Sequence, residues 1–290
     1  MKLFITGAYG QVGMGLVRQS KALGWQVVEA GRDSLDITDA SAVSRSIVDF
    51  KPDVVINAAA YTAVDRAESD VDVTFAVNRD GPTNLAIVCE TLGIPLVHYS
   101  TDYVFDGSKV SAYVESDPVA PIGVYGESKL AGEMAVVERC SKHLILRTSW
   151  VFSAHGNNFV KTMLRLASER EEIGVVADQF GKPTSAAEIA RLTLEIISKA
   201  SSCWGVYHLA QPAVVSWHGF AEAIFQEARS QGMDLRVKHV KPIGTADYPT
   251  PAKRPANSEL NCERLESVFE TSIRPWRESL RKVIKELRHA

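Results

Sequence analysis

The sequence lacks the cysteine pattern of a metal-binding or disulfide-linked protein. It contains four cysteines in 290 residues, and no two of them form a C-x-x-C pair. They lie far apart, at Cys89, Cys140, Cys203 and Cys262. Because zinc sites and disulfide frameworks both need cysteines in suitable patterns, we expect neither, and we predict no resident metal.

The sequence also lacks any long apolar run and any excess of basic residues. No segment approaches the roughly 18 apolar residues that span a bilayer, and the run at residues 3–5 is too short for the core of a signal peptide. The formal net charge of −3 gives no sign of a nucleic-acid-binding surface. With 46% hydrophobic and 23% charged residues, the composition is that of a globular protein. We therefore expect a cytoplasmic protein that binds neither nucleic acid nor membrane.

What the sequence does contain is a glycine-rich turn directly after its first apolar run. That run predicts a buried strand, and Gly7, Gly10 and Gly13 follow it at a spacing of three. An apolar-periodic helix begins at Gln11 and Val12. Glycines at these points permit a tight turn, a close approach of a pyrophosphate to the backbone, and close packing of helix on strand. The pattern predicts a dinucleotide-binding corner, with an ordinary glycine-rich turn as the alternative.

The end of the second predicted strand indicates which nicotinamide cofactor is bound. Gly31 and Arg32 stand where NADH-selective enzymes usually carry an acidic residue, which binds the ribose 2′-hydroxyl and repels a 2′-phosphate. Arg32 can pair with that phosphate through charge-assisted hydrogen bonds, so the pattern favours NADPH, with NADH as the weaker alternative. A solvated arginine is the other interpretation, and Asp33 beside it supports that view.

Residues 35–37 are predicted to end a third short strand on the adenine side of the same corner. Asp36 is expected to accept a hydrogen bond from the adenine amino group, and Ile37 is included with it as a cofactor-binding residue. An almost equally good alternative is that Asp36 caps the segment from Thr38 onward.

The next strand is predicted over residues 54–57, and three consecutive alanines follow it. Ala58, Ala59 and Ala60 are small, and small residues at the carboxyl end of a strand leave room for a cofactor against the backbone. Tight packing is the alternative. Asn78 lies inside a predicted helix, where asparagine is unfavourable unless its side chain has a task, so we include it among the cofactor-site residues.

A tyrosine and a lysine four residues apart are the strongest sign of catalysis. Tyr125 and Lys129 lie at the start of a predicted helix and project from the same face of it. A lysine cation near a phenol lowers the pKa of the phenol by about 1–3 units, which suits a general acid in carbonyl reduction. Thr101 ends the preceding strand and can hydrogen-bond the same substrate oxygen. The pair alone is common on protein surfaces, so its position after a dinucleotide-binding corner carries the prediction.

The alternation of strands and helices predicts the fold class. We expect an α/β protein with a doubly wound, parallel Rossmann-type sheet and a smaller C-terminal α+β lobe that binds substrate. The dinucleotide-binding domain is predicted over residues 1–150, with a strand returning near residues 205–209, and the substrate lobe over residues 151–290. In that lobe we expect a helix over residues 186–200, a strand near residues 235–240 and a solvated helix over residues 274–288.

Several motifs resemble the dTDP-4-dehydrorhamnose reductases, a family of extended short-chain dehydrogenases/reductases. The resemblance covers most of the chain and is carried by four stretches, NAAAYTAVD at residues 57–65, STDYVFDG at residues 100–107, RTSWVF at residues 147–152 and RPANSEL at residues 254–260. Thr101, Tyr125 and Lys129 match the catalytic residues of the superfamily, and Asn78 matches an asparagine that supports them. In the superfamily the lysine also holds the nicotinamide ribose.

The resemblance implies reduction of the 4-keto group of dTDP-4-dehydro-L-rhamnose by NADPH or NADH, giving dTDP-L-rhamnose for cell-surface polysaccharide. It implies that Trp150 stacks on the deoxysugar and that Asp102 and Tyr103 line the substrate side together with Thr101. For the substrate diphosphate, the loop that contains Arg254 is the best cationic partner, with a solvated arginine as the alternative.

One departure from the family concerns assembly. Some members dimerise through a magnesium ion held by acidic side chains, but Gly15 stands at one of those positions and Glu188 is the single carboxylate left of a pair. A divalent cation needs several oxygen ligands, so we expect a monomer or a weak homodimer without a metal bridge.

Two other functions fit the same residues less well. A sugar-nucleotide epimerase or dehydratase shares the fold, but the related dehydratases follow the catalytic threonine with Asp-Glu, whereas this chain has Asp102 and Tyr103. A non-catalytic regulatory subunit is the second alternative, and the intact set of Thr101, Tyr125 and Lys129 argues against it. A different 4-ketosugar substrate, such as a talose-series isomer, also stays open.

Overall fold

The computed structural model describes residues 1–199 and 202–289. Residues 200, 201 and 290 lie outside this description. The helix predicted over residues 186–200 and the lobe predicted over residues 151–290 therefore each have their last residue outside the described part. The first half of the chain contains β1 (Lys2–Thr6), α1 (Gln11–Ala22), β2 (Gln26–Ala30), α2 (Ala40–Phe50), β3 (Val54–Asn57), α3 (Val64–Ala67), α4 (Val71–Phe75), α5 (Gly81–Leu92), β4 (Leu96–Thr101), α6 (Val124–Arg139) and β5 (His143–Thr148). A π-helical turn (Ala76–Asp80) joins α4 to α5, and a 3₁₀ turn (Asp102–Val104) follows β4.

The second half mixes short strands with longer helices. It contains β6 (Val151–Phe152), α7 (Phe159–Glu169), β7 (Glu172–Val176), β8 (Phe180–Gly181), β9 (Thr184–Ser185), α8 (Ala186–Lys199), β10 (Gly205–His208), β11 (Val215–Ser216), α9 (Trp217–Ser230), β12 (His239–Ile243), β13 (Asn257–Ser258), α10 (Glu263–Phe269) and α11 (Trp276–Arg288). Within residues 1–199 and 202–289, no helix has the length and apolar character needed to cross a membrane.

Six parallel strands form the central sheet, in the order β2-β1-β3-β4-β5-β10. The chain order reverses between β1 and β3, and open parallel sheets bind ligands at the carboxyl ends of the strands at such a point. Strands β3 and β4 are buried along their whole length, as parallel strands covered on both faces must be. The predicted α/β class with a doubly wound parallel sheet is confirmed. The proposed division into domains stays a prediction.

Successive side chains of β1 point to opposite faces of the sheet and enter different cores. Leu3 and Ile5 pack in a core with α1 and α8, whereas Phe4 packs in another with α2 and α5. A third apolar cluster draws its residues from the second half of the chain, where Phe220 and Trp276 are fully buried. The chain therefore packs in three apolar clusters, and the one around Leu3 also takes in residues from the C-terminal part.

The last helix corrects one prediction. We expected a solvated helix over residues 274–288, but α11 buries Trp276, Leu280, Val283 and Ile284. These positions follow an i, i+4, i+7, i+8 pattern, which is the apolar stripe of an amphipathic helix. The many charges of the segment lie on its other faces and hid that stripe. The strand predicted near residues 235–240 also lies later, at β12, where it pairs with β7.

Candidate active site

The glycine turn between β1 and α1 has no room for side chains at Gly7 and Gly13. Gly7 adopts φ +63°, in the left-handed region that favours glycine. A Cβ on Gly7 would lie 2.5 Å from the carbonyl group of Ala58, and a Cβ on Gly13 would lie 2.1 Å from the carbonyl oxygen of Gly7. The turn therefore packs backbone against backbone, and it brings the carboxyl ends of β1 and β3 together.

The first turn of α1 presents its backbone N–H groups at this corner. Gly10 is the N-cap residue, and it has no side chain to occupy those donors. The N–H group of Gly10 itself donates to the carbonyl oxygen of Gly7 at 2.9 Å. Unpaired N–H groups at a helix N-terminus bind phosphate, so Gln11, Val12 and Gly13 can hold a pyrophosphate through their backbone. A helix N-terminus whose N-cap is a glycine without a competing side chain fits a dinucleotide.

The side chain of Gln11 joins the glycine turn to the second lobe. Its Oε1 accepts hydrogen bonds from the hydroxyl of Ser153 and from Nδ2 of Asn158, both at 3.0 Å. These partners lie in the loop between β6 and α7. Any cofactor contact of Gln11 therefore falls to its backbone, because its side-chain oxygen is engaged.

After β2, the predicted adenosine contacts differ in part from the expectation. Residues 35–37 are not a strand, and Asp36 Oδ1 accepts hydrogen bonds from the N–H and the hydroxyl of Thr38, at 2.9 and 2.8 Å. These bonds lower the pKa of Asp36 and are those expected if it caps the following segment, while its contact with adenine stays a prediction. Ile37 is buried against Gly81, whereas Arg32 is exposed.

A buried polar cluster that the sequence did not point out lies at the end of β3. Ala58, Ala59 and Ala60 are partly exposed there, as expected for one wall of a cofactor site. Beside them, the hydroxyl of Thr6 donates to Asn57 Oδ1 at 2.7 Å, and Asn57 Nδ2 lies 3.0 Å from His98 Nδ1. Burial holds the pKa of His98 well below its usual range, so the imidazole is neutral. The sequence feature that could have indicated this cluster is the presence of polar residues, such as His98, inside otherwise apolar strands.

Asn78 lies in the π-helical turn, and all of its side-chain bonds here are structural. Its Oδ1 accepts from the N–H of Tyr61 at 2.8 Å, and its Nδ2 donates to the carbonyl of Tyr61 and the hydroxyl of Ser128, each at 3.0 Å. The hydroxyl of Ser128 in turn donates to the carbonyl of Tyr125 at 2.8 Å. Asn78 thus links the segment at Tyr61 to α6, and its predicted contact with the cofactor stays a prediction.

Thr101 ends β4 beside a buried carboxylate. The Thr101 hydroxyl donates to Asp102 Oδ1 at 2.9 Å and accepts from the N–H of Tyr103 at 3.2 Å. Asp102 is buried, and its Oδ2 has no hydrogen-bond partner within the described part of the chain. Burial raises the pKa of Asp102 to about 6. The Tyr103 ring packs edge-on against Tyr125, with 5.5 Å between the ring centroids.

Tyr125 and Lys129 lie in the first turns of α6, which is pressed against the end of β4. A Cβ on Gly126 would lie 2.3 Å from the carbonyl oxygen of Tyr103. Lys129 is buried, and its Nζ donates to the carbonyl oxygen of Tyr99 at 2.6 Å. The helix thus brings the predicted tyrosine and lysine to the strand end that carries Thr101.

The pKa values of Tyr125 and Lys129 differ from the sequence prediction. We expected Lys129 to lower the pKa of Tyr125, but burial and the nearby Asp102 carboxylate raise it above its ordinary value, and Thr101 opposes this only in part. Burial also lowers the pKa of Lys129 to about 8, although Glu133 counteracts the effect. Burial, which a spacing of four residues does not reveal, dominates both groups.

Two glutamates missed by the sequence reasoning fix α6. Glu68 Oε1 accepts from the N–H of Val124 at 3.0 Å and caps the helix N-terminus. Glu133 accepts two hydrogen bonds from Arg147 on β5, at 2.9 and 2.7 Å, in a pair that is almost fully buried. Glu133 follows Tyr125 and Lys129 at successive intervals of four, and that spacing was the available signal.

Trp150 has part of its indole covered by protein, and its contact with the deoxysugar stays a prediction. Its backbone has φ +47°, and its indole stacks on that of Trp217 with 3.4 Å between centroids and 7° between planes. A Cβ on Gly181 would lie 2.5 Å from the same indole. At least one face of Trp150 is therefore covered by protein and is not available to a deoxysugar.

A cavity of about 600 Å³ opens beside Trp217. Trp217 belongs to its wall and Trp150 does not, and the walls come from α3, α7, β7, α9 and three loops. Its apolar and aromatic lining includes Phe159, Met163, Leu166, Ile173, Val175 and Tyr248, and its cationic lining includes Arg165, Arg170 and Arg254. Arg254 Nη2 donates to both oxygens of Asp65 at 2.9 Å, while its buried Nη1 has no partner among the described residues.

Thr101, Tyr125 and Lys129 do not line that cavity. Arg254 connects the two places, since its charge acts on the phenol of Tyr103 next to the catalytic helix. Burial nevertheless dominates and raises the pKa of Tyr103 to about 12. The cavity therefore lies apart from the three predicted catalytic residues and is linked to them through Arg254 and Tyr103.

Gly15, at the position where some relatives carry a metal ligand, faces protein. A Cβ on Gly15 would lie 3.1 Å from the carbonyl oxygen of Ala186 and 3.2 Å from the Cβ of Ala190. Glu188 pairs with Arg191 at 2.7 Å. In residues 1–199 and 202–289, no group of three or more His, Cys, Asp or Glu residues could hold a metal ion.

The whole chain has close relatives. Residues 1–289 match the family model of the RmlD substrate binding domain. The chain is 47% identical over 296 residues to the dTDP-4-dehydrorhamnose reductase of Burkholderia thailandensis, with 99% of each chain covered. It is 41% identical over 293 residues to that of Escherichia coli K12, covering 99% of this chain and 98% of the relative.

Solved structures of dTDP-4-dehydrorhamnose reductases also match this chain. A dTDP-4-dehydrorhamnose reductase from Clostridium acetobutylicum matches with a TM-score of 0.94 and 40% identity, over 99% of this chain and 100% of that one. The Bacillus anthracis reductase, in complex with NADP, matches with a TM-score of 0.92 and 38% identity, over 98% and 99% of the two chains. A UDP-glucose 4-epimerase from Thermus thermophilus at 21% identity matches over 100% of both chains with a TM-score of 0.82, which indicates a shared fold alone.

Proposed function

The chain belongs to the dTDP-4-dehydrorhamnose reductase family, and we propose that Thr101, Tyr125 and Lys129 carry its catalysis. It is an NADPH-dependent oxidoreductase that reduces the 4-keto group of dTDP-4-dehydro-L-rhamnose to dTDP-L-rhamnose, the last step of dTDP-rhamnose synthesis. One observation supports the assignment of residues above all others. The helix that carries Tyr125 and Lys129 is pressed against the Thr101 turn, at the edge of the sheet that also holds the glycine turn.

The cofactor lies along the carboxyl edge of β1 and β3 in this proposal. Bound NADPH supplies the hydride for the carbonyl carbon. The backbone N–H groups of residues 11–13 hold its pyrophosphate, and Ala58, Ala59 and Ala60 form a wall beside it. Lys129 holds the nicotinamide ribose, and as a cation it also favours the negative charge that develops nearby. The same site can accept NADH less well.

Tyr125 supplies the proton that the substrate oxygen takes up. Because the pKa of its phenol is raised, Tyr125 is protonated at neutral pH and can donate as negative charge develops on that oxygen. Thr101 donates a hydrogen bond to the same oxygen once its hydroxyl turns away from Asp102. Tyr125 then recovers a proton from solvent, so one hydride and one proton are consumed in each turnover.

The nucleotide part of the substrate occupies the cavity beside Trp217. The indole and the apolar lining suit a flat base, and the free Nη1 of Arg254 suits a diphosphate oxygen. Tyr103 packs on Tyr125 and feels the charge of Arg254 in the cavity wall, so we assign Tyr103 and the adjacent Asp102 to the sugar part of the substrate. Trp150 supports Trp217 by stacking on it.

An assay with purified protein tests this function. Incubation with dTDP-4-dehydro-L-rhamnose and NADPH should consume one NADPH per ketone, and NMR of the product should give dTDP-L-rhamnose. A talose-series product would replace the proposed stereochemistry. Turnover without net NADPH consumption would favour an epimerase, and no turnover would favour a regulatory subunit.

We also propose that the enzyme is cytoplasmic and is a monomer or a weak homodimer without a metal bridge. The packing of Gly15 against Ala186 and Ala190 supports the second point, because it leaves no space for a ligand at that position. Light scattering should give the same mass with magnesium and with EDTA. A mass that doubles with magnesium would contradict the proposal.

A further inference from the structure

Tyr9 is a large aromatic residue in an exposed place. It lies within the glycine turn, between Gly7 and Gly10, and 66% of its surface is exposed. Its ring covers Gly31, the residue that follows β2: a Cβ on Gly31 would lie 2.4 Å from both Cδ2 and Cε2 of Tyr9. Gly31 is buried although it lies in a surface loop. The ring of Tyr9 therefore occupies the volume that a side chain at position 31 would need.

Position 31 has a known task in dinucleotide folds. A carboxylate at the end of the second strand usually binds the adenosine ribose 2′-hydroxyl and rejects a 2′-phosphate. In this chain the carboxylate is missing and an aromatic ring fills its place. The ring also carries a hydroxyl, which can donate a hydrogen bond to an anion where a carboxylate would repel one.

The turn that follows Gly31 is fixed by hydrogen bonds. The N–H of Gly31 donates to the Ser34 hydroxyl and that hydroxyl donates to the Gly31 carbonyl, both at 3.0 Å. The N–H of Leu35 donates to the same carbonyl at 2.9 Å. Arg32 follows Gly31 in this turn and is exposed.

We propose that Tyr9 determines cofactor specificity by reading the ribose 2′-phosphate of NADPH together with Arg32. The phenol hydroxyl and the guanidinium both donate to the phosphate, and Gly31 beside the ring carries no carboxylate that would repel it. The inference rests on the proposed position of NADPH at the glycine turn. It goes further by giving an exposed loop tyrosine the role that the sequence assigned to Arg32 alone.

Calorimetric binding of 2′,5′-ADP and 5′-AMP tests the proposal without turnover. These ligands differ only in the 2′-phosphate, so 5′-AMP is the matched control. Tyr9→Phe should weaken 2′,5′-ADP by about tenfold, the size of one hydrogen bond to a charged group, and should leave 5′-AMP unchanged. Tyr9 is exposed, so its replacement should not disturb folding.

A second pair of variants tests the shared volume. Gly31→Asp should weaken both ligands, because the new side chain and Tyr9 cannot occupy one place. Tyr9→Ala combined with Gly31→Asp should restore 5′-AMP binding and abolish the preference for 2′,5′-ADP. Wild-type binding of both ligands by Tyr9→Phe, or additive effects of the Tyr9→Ala and Gly31→Asp changes, would overturn the inference alone. Failure of the wild-type protein to bind either ligand would overturn the cofactor position itself.

Discussion

The cradle proposed for the cofactor pyrophosphate is built from backbone, whereas the cavity proposed for the substrate nucleotide is built from side chains. At the glycine turn, Gly7 and Gly13 leave less than 3 Å for any added Cβ, and the binding groups are N–H donors of a helix. In the cavity, Trp217 and Arg254 reach the same space from α9 and from a distant loop. A backbone cradle is insensitive to most substitutions, while a side-chain cavity can be changed one contact at a time. Variants should therefore affect the two sides separately.

The largest effect is expected where the two sides meet. Tyr125→Phe removes one hydroxyl and should lower kcat by about 10²–10⁴-fold, the usual range for general acid–base catalysis. NADPH affinity should stay near wild type, because the backbone cradle is intact. Stopped-flow turnover and fluorescence titration measure the two quantities. Near-normal kcat would remove Tyr125 from the mechanism.

The buried ion pair of Glu133 and Arg147, which holds α6, should be nearly as sensitive to substitution. Glu133→Ala leaves the guanidinium of Arg147 buried without its partner and should lower the free energy of unfolding by about 3–5 kcal/mol. Urea denaturation measures this. The control is Glu169→Ala, which breaks an exposed pair with Arg165 and should cost less than about 1 kcal/mol. Equal losses in the two variants would show that the buried pair does not hold α6.

The substrate side alone should respond to Trp217→Ala. The loss of an aromatic wall should weaken dTDP binding by about tenfold, the size of a stacking contact, and leave NADPH binding unchanged. Calorimetry with each ligand measures both. Trp150→Ala is the comparison, since that indole lies behind Trp217 and should act mainly through stability. A weaker dTDP complex for Trp150→Ala with normal stability would restore the original expectation for Trp150.

The smallest effect should be confined to the cofactor side. Arg32→Ala should raise KM for NADPH roughly five- to tenfold through loss of a charge-assisted bond, with KM for NADH nearly unchanged. Arg18→Gln, an exposed arginine on α1, controls for loss of positive charge. Equal losses for both cofactors in Arg32→Ala would show that this arginine does not read the phosphate.

The contrast between the two sides also explains what the sequence could predict. The sequence shows directly that Gly7 and Gly13 have no Cβ. The regular alternation of strands and helices predicts the sheet at whose edge these glycines lie. The cavity depends on contacts between remote segments, such as the bond of Arg254 to Asp65, which lie 189 residues apart. No local spacing contains that contact. The pKa of Tyr125 was missed for a related reason, since burial is a property of the whole fold.

The proposed active site depends on the exact number of residues in the π-helical turn at Ala76–Asp80. A π turn has a wider spacing of hydrogen bonds than an α-helix, and Asn78 uses it to reach both Tyr61 and Ser128. Deleting one residue would let the helix close regularly. Because each residue of an α-helix turns the chain by about 100°, α4 and Asn78 would then swing away from α6. A one-residue deletion here would therefore inactivate the enzyme without removing a catalytic side chain.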